Sequence, residues 1–436
     1  MKSESFGSIT RWLERSSDFV FAFYSIAAAF STYFCMYAFR KPFAAGSYEG
    51  FTFLDSEVSL KTAFVISQVL GYTLSKFAGI RILSEVPRNR RWKLLLGLIL
   101  AAEAALILFA VVPVQGKVVA IFANGLPLGM VWGICVSYLE GRRCSDFLLA
   151  GLSCSFILAS GVVKDAGRWL MSSFDVSEFW MPAGTGALFL PLLLVSSFLL
   201  NQLPGPSEED ETWRTPRTTM NKEERWSFIQ SFMPGLCLLL TSYLFLTAFR
   251  DFRDNYGVEI FRELGYVGEP ALFTRTELPV TLGVVVVMGL LNLFRSNKWG
   301  LIGAFGVMIS GMVLLLGSTV LFKSGELSGL NWIILTGLGS YLAYVPFNSI
   351  LFERLIAYTQ VTSTAVFTIY LADAIGYSGS VGLQLYKDLV QTGSTRLEFF
   401  ESLCWALGGG GFVLLGLSCV YFIQWPGRHR QATREA

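Results

Sequence analysis

Two arginines placed alike in two apolar stretches carry the chemistry that this sequence is able to do. Arg40 stands in Ser31–Phe43, STYFCMYAFRKPF, and Arg250 in Thr241–Arg253, TSYLFLTAFRDFR. In register, Tyr33 aligns with Tyr243, Ala38 with Ala248, Phe39 with Phe249 and Arg40 with Arg250. A guanidinium presents a planar fork of N–H donors that grips carboxylate or phosphate at two points. At the centre of a membrane helix such a charge costs about 2.5–3.5 kcal/mol on insertion scales, so it normally faces a polar cavity and a partner. Two guanidiniums facing each other would repel unless something anionic lay between them. The pair therefore predicts an anionic substrate. An interfacial anchor is the competing reading of Arg40, which falls at the end of its apolar run. The apolar continuation Pro42–Ala45 and the repetition at Arg250 weigh against it.

Other residues gather around this pair in the sequence. Gln68, Tyr72 and Lys76 recur at i, i+4 and i+8, which places them on one helical face as a cavity lining. Tyr37, Lys41, Tyr33 and Tyr243 flank the two arginines and complete the candidate substrate contacts. Glu277 and Asp373 are carboxylates within apolar runs; neutralising an empty arginine site, carrying a coupling proton and structural ion pairing all fit them. Lys61, and the group Lys164, Asp165 and Arg168, lie toward span ends and are expected to snorkel. Arg275 is counted among the intraspan cations. Glu103 faces an otherwise apolar span and has no evident role.

The elements that must hold these residues are membrane helices. Of 436 residues 53% are hydrophobic and only 15% charged, against about 25% charged in soluble chains. Apolar runs long enough for a hydrocarbon core about 30 Å thick fall at 18–40, 57–79, 94–113, 117–139, 146–170 and 178–203, then at 228–250, 270–294, 299–321, 330–352, 361–386 and 397–424. That is an all-α membrane protein of twelve transmembrane helices in two pseudo-symmetric six-helix bundles, 1–203 and 228–436, joined by the polar linker 204–227. Parallel repeats of this kind hold substrate near the bilayer midplane at the repeat interface. Twenty basic residues outside the spans fall on the side of the termini and linker and seven on the other, Lys41, Lys117 and Arg253 among them. Both termini are therefore expected in the cytoplasm, the membrane being the cytoplasmic one. The first apolar run is too long for a signal peptide and reads as a retained span. Gly125, Gly129 and Gly133, then Gly376, Gly379 and Gly382, predict close helix packing. Pro127, Pro279 and Pro346 predict kinks.

Enzyme chemistry finds no players. The seven cysteines form no C-x-x-C and read as small apolar residues, and the single histidine, His429, lies in the polar tail. Neither a metal nor a cofactor is expected, and no nucleotide-binding or hydrolase motif is present. A net charge of +2 suggests no nucleic-acid partner. The expected partners are a small anion, a counter-ion (phosphate or proton) and the lipid bilayer, with the chain acting as a monomer. A proton-coupled symporter of another solute and a non-transporting anion sensor are the alternatives.

The chain resembles the major facilitator superfamily and, within it, the organophosphate:phosphate antiporters. The resemblance rests on Tyr37-x-x-Arg40-Lys41-x-Phe43, Ser75-Lys76-Phe77, the stretch Gly125–Trp132 with Gly129 and Met130, and Tyr344, Pro346, Glu353, Thr364, Ala365, Phe367, Gly376 and Tyr377. It implies that Arg40 and Arg250 hold a phosphate group with Lys76 nearby, and that the two halves rock in alternating access. Two departures stand out: Cys154-Ser155-Phe156 occupies the region of the family's span 5 histidine, and Leu83 replaces the aspartate expected four residues after Gly79.

Overall fold

A computed structural model describes residues 8–435 apart from 55, 141, 143, 208–209, 211–221, 270, 292, 295 and 360–364. Linker residues 208–209 and 211–221, Arg143, Arg295 and Thr364 therefore lie outside the described residues. Helices account for nearly all of the rest. In the first half they are α1 (Ser8–Glu14), α2 (Asp18–Met36), α3 (Leu60–Glu85), α4 (Arg88–Val111), α5 (Lys117–Leu128), α6 (Val131–Leu139), α7 (Ser145–Ser153), α8 (Ser155–Phe174) and α9 (Met181–Asn201). In the second they are α10 (Lys222–Asn255), α11 (Gly257–Glu263), α12 (Leu272–Leu291), α13 (Asn297–Lys323), α14 (Gly329–Ser349), α15 (Leu351–Thr359), α16 (Ala365–Leu389) and α17 (Arg396–Glu435).

Ten of these passages are long and apolar enough to cross a membrane. The two remaining expected spans are α3 and α16, of 26 and 25 residues, and length does not disqualify them. Their polarity does: α3 carries Lys61, Gln68, Tyr72 and Lys76, and α16 carries Asp373, Gln384, Lys387 and Asp388. Helices this polar need an interior to face. Serine caps open several spans by accepting from an otherwise unpaired backbone N–H: Ser17 from Val20, Ser59 from Thr62 and Ser328 from Asn331.

The chain forms two compact units, Met1–Thr215 with Pro270–Thr274, and Pro216–Glu269 with Arg275–Ala436. Corresponding helices pair in each: the third span packs on the fourth (α4 on α5; α13 on α14), and the first on the sixth (α2 on α9; α10 on α17). The two units thus repeat one helix-packing pattern.

Glycines set the closest approaches. A Cβ on Gly125 would stand 2.5 Å from the Gln68 carbonyl oxygen, and one on Gly129, just past the end of α5, would press on that of Tyr72, so this span lies directly against the polar face of α3. In the second unit Gly376 and Gly379 make room for side chains instead, those of Thr247 and Tyr243 and that of Leu244. Span 4 divides after Pro127, with α5 ending at Leu128 and α6 starting at Val131, and span 10 divides three residues after Pro346. Pro279 lies within α12, which stays helical on both sides of it.

Candidate functional site

The two arginine segments differ in backbone. α2 stops at Met36, and the chain continues through two 3-10 turns, Tyr37–Phe39 and Pro42–Ala45. Pro42 has no N–H to donate to the turn before it, so the α-helical ladder cannot pass. Phe252 occupies the aligned position in the second half, and α10 stays helical to Asn255. Arg40 thus sits on a tight turn and Arg250 on a regular helix.

In the first unit Arg40 is 8% exposed, and its guanidinium lies 3.9 Å from the ring centroid of Tyr72 and 5.6 Å from that of Tyr37. Lys76 Nζ approaches the same Tyr72 ring at 5.4 Å, so one buried aromatic serves two cations. Gln68 Nε2 donates to the Arg40 carbonyl and to Asn124 Oδ1, both at 2.8 Å. Asn124 Nδ2 donates in turn to the carbonyls of Phe39 and Ala102. These bonds fix the turn's depth: Gln68 is eight residues, about 12 Å, along α3 from its first residue. The Arg40 turn is therefore held beside the inner turns of α3 rather than at that helix's first residue. Tyr33 packs edge-on against Tyr37 and against Trp132 of α6, at 5.6 and 4.8 Å. Lys41 is buried as well, leading into the second turn.

In the second unit the Arg250 guanidinium lies 4.2 Å from the Tyr344 ring and 2.8 Å from Asp251 Oδ1, with its side chain 15% exposed. Tyr243 stacks on Tyr344 and donates to Asp373 Oδ1 at 2.7 Å, while Asn348 Nδ2 donates to the Tyr243 hydroxyl at 3.3 Å. Glu277 belongs elsewhere: its Oε1 accepts from Arg253 Nη1 at 2.7 Å, and Arg253 Nη2 also donates to the Ile333 carbonyl. That ties α10, α12 and α14 together.

Several charges depart from their expected places. Arg253, counted outside the spans, is buried, because α10 continues past the apolar run. Lys61 and Lys164 are each 2% exposed and Asp165 is buried, so none of them snorkels. Asp165 accepts instead from the backbone N–H groups of Phe273 and Thr274, in the short stretch that clusters with its own unit. Arg275 is a surface residue paired with Glu269 at 2.7 Å, since α12 starts only one turn before it. Cys237 is exposed, unlike Cys35, Cys135, Cys154 and Cys404.

Sequence reasoning passed over Asn124, Asn348 and Asp251. Asn124 had a legible signal, an amide in an apolar run beside Gly125. Asp251 had none, because adjacent residues do not ordinarily share a helical face.

Each unit therefore presents a guanidinium oriented on a tyrosine face and held beside a network of internal amide or hydroxyl hydrogen bonds. Such a surface can bind an oxyanion. No group of His, Cys, Asp and Glu side chains suited to a metal occurs among the described residues.

The sequence matches the model of a family described as a family of unknown function (DUF5690) over residues 42–425. No curated protein matches it. Among solved structures, a D-xylose-proton symporter superposes with TM-score 0.61 at 15% identity, covering 92% of this chain and 97% of that one. A mutant of the nucleoside transporter NupG superposes with TM-score 0.58 at 13% identity, covering 91% and 99%. At these identities the similarity establishes the fold.

Proposed function

We propose that this chain, which belongs to the DUF5690 family, is a secondary active transporter of a small anion, working by alternating access of its two helical units. A phosphate ester, phosphate or a carboxylate is the substrate class. The observation that carries this reading is the buried Arg40 guanidinium on the Tyr72 ring, with Lys76 on the same ring. Two cations gathered inside a bundle are stabilised by an anion, and an aromatic face positions them without neutralising them. Arg250 on Tyr344 repeats the arrangement in the second unit, with Asp251 as its countercharge in the unloaded protein. Tyr37, Tyr33, Lys41 and Gln68 support the first arginine; Tyr243 and Asp373 support the second.

The fold is shared with sugar and nucleoside transporters, which supports transport over enzymatic turnover. The sequence resemblance to organophosphate:phosphate antiporters supports phosphate exchange, and the proton symporter among the structural neighbours supports proton coupling as the alternative. The excess of basic residues beside the termini supports a cytoplasmic membrane with both ends inside. The test is counterflow in proteoliposomes loaded with inorganic phosphate and offered labelled phosphate or glycerol 3-phosphate. Uptake by the wild type, lost in Arg40→Ala and in Arg250→Ala, is expected. Binding without translocation would select a sensor instead, and wild-type rates in either variant would remove the assignment.

A further inference from the structure

α12 and α13 follow one another in the second unit, yet they leave a gap between them. A cavity of about 310 Å³ lies there, lined by Val287, Leu290, Leu291 and Phe294 on one side and by Gly303 and Gly306 of α13 on the other. That volume is in the range of small-molecule sites. The glycines make the hollow. A Cβ at Gly306 would meet nothing within 4 Å, whereas one at Gly303 would touch Leu291 and Phe294, which close that end. Leu290 and Phe294 are exposed, so the cavity opens on the outer surface of the unit. Ser310, the one polar side chain in the lining, already donates to the Val307 carbonyl at 2.8 Å. The walls therefore offer an occupant apolar contact only. The apolar run of this span begins at residue 299. At 1.5 Å per residue, Gly303 and Ser310 stand about 6 and 16 Å into it. Those depths fall in one leaflet of a hydrocarbon core about 30 Å thick.

Positive charge gathers at the mouth. Gly300, three residues before Gly303, is buried beneath Arg354 of α15: a Cβ there would stand 3.0 Å from the Arg354 Nε. Arg354 Nη1 also donates to Asn297 Oδ1 at 3.0 Å, so the guanidinium is held across the first turn of α13. Lys298 is exposed on that turn, which carries no acidic residue. Ser296, at the N-cap, makes no side-chain bond to it, leaving the positive end of the helix dipole uncovered. Trp299 is exposed at the same level, as side chains at a membrane–water boundary are.

We infer that this is a binding site for an anionic phospholipid, with its phosphate on the first turn of α13 against Arg354 and Lys298 and one acyl chain in the cavity. The inference requires only that the chain cross a membrane and does not depend on the anion-transport reading. A flexible chain can follow a floor of glycines that a rigid ring would bridge. A zwitterionic lipid would bring its own cation toward Arg354. A second copy of the protein, docked through this face about a twofold axis, would set Arg354 and Lys298 near their own counterparts. An anionic headgroup alone satisfies both ends of the site.

The test is a lipid titration of purified, delipidated full-length protein followed by native mass spectrometry. Phosphatidylglycerol and phosphatidylcholine with identical chains are the two probes. A juxtamembrane cation strengthens binding to anionic lipid about fivefold, so phosphatidylglycerol is expected to bind at least that much more tightly. Arg354→Gln should weaken phosphatidylglycerol about fivefold and leave phosphatidylcholine unchanged. Gly306→Leu should weaken both, because it fills the cavity without meeting a protein atom at its Cβ. Thermal unfolding without added lipid checks that each variant folds. Should Arg354→Gln not fold, the exposed Lys298→Gln replaces it with the same expectation. Equal binding of the two lipids by the wild type, or phosphatidylglycerol affinity unchanged in Gly306→Leu, overturns the inference. A dimer that Gly306→Leu dissociates would also overturn it, giving the cavity to a second copy instead.

Discussion

Replacing Tyr72 by leucine keeps an apolar, though smaller, side chain on the α3 face and removes the ring that orients Arg40. The guanidinium lies 3.9 Å from that ring's centroid, and Tyr72 is buried. A desolvated cation–π contact is worth about 2 kcal/mol, against 0.5–1 at exposed sites. Lys76, at 5.4 Å from the same ring, adds a weaker contribution. If the ring's role is to hold both cations ready for an anion, losing it should weaken anion binding by about 2 kcal/mol, or roughly thirtyfold in Kd. Tyr72→Phe retains the π-face and should bind within about threefold of the wild type. The assay is isothermal titration of glycerol 3-phosphate into detergent-solubilised protein, with thermal unfolding of each variant as the folding control. Equal affinity in Tyr72→Leu and wild type would refute the orienting role. A Tyr72→Phe variant as weak as Tyr72→Leu would show that the hydroxyl, and not the ring, does the work.

Other outcomes follow from the same geometry. Asn124→Ala removes three buried hydrogen bonds and leaves carbonyls without partners, so apparent stability should drop by about 2–4 kcal/mol in denaturant unfolding. Gly125→Leu forces a side chain into the Gln68 carbonyl and should abolish phosphate-dependent thermal stabilisation by separating α5 from α3. Breaking the Arg253–Glu277 pair with Arg253→Met alone should cost about 3–5 kcal/mol, while Arg253→Met with Glu277→Met should recover most of it, since an apolar pair leaves no buried charge. A double variant no more stable than the single one would mean that the pair acts through its bond to the Ile333 carbonyl.

The sequence made the first unit's site legible to the extent that helix periodicity governs it. Gln68, Tyr72 and Lys76 share a face because their spacing is four residues, and Gly125 and Gly129 bring α5 onto that face for the same reason. Pro42 carried the signal for the break after Met36, although the run of apolar residues around it read as a continuous helix. What periodicity does not encode is the partner across a helix interface. Glu277 read as a countercharge for the arginine site, a proton carrier or a structural ion pair, with Arg253 counted outside the spans, and only the folded structure pairs it with Arg253. Lys61 and Lys164 read as snorkelling because distance from a span end says nothing about which side of the helix faces protein. The space that the Glu103 carboxyl occupies likewise depends on Gly186, 83 residues away in sequence.

The most direct test of the account is a thermal-unfolding screen of the purified protein against phosphate, phosphate esters and carboxylates, run in parallel on Arg40→Ala and Arg250→Ala. A ligand that binds only the folded state raises apparent stability by about 2.7 kcal/mol at a hundred times its Kd. The account predicts that at least one small anion stabilises the wild type and that neither variant responds to it. Stabilisation by the same anion in both variants, or by neutral sugars and nucleosides alone, would contradict it.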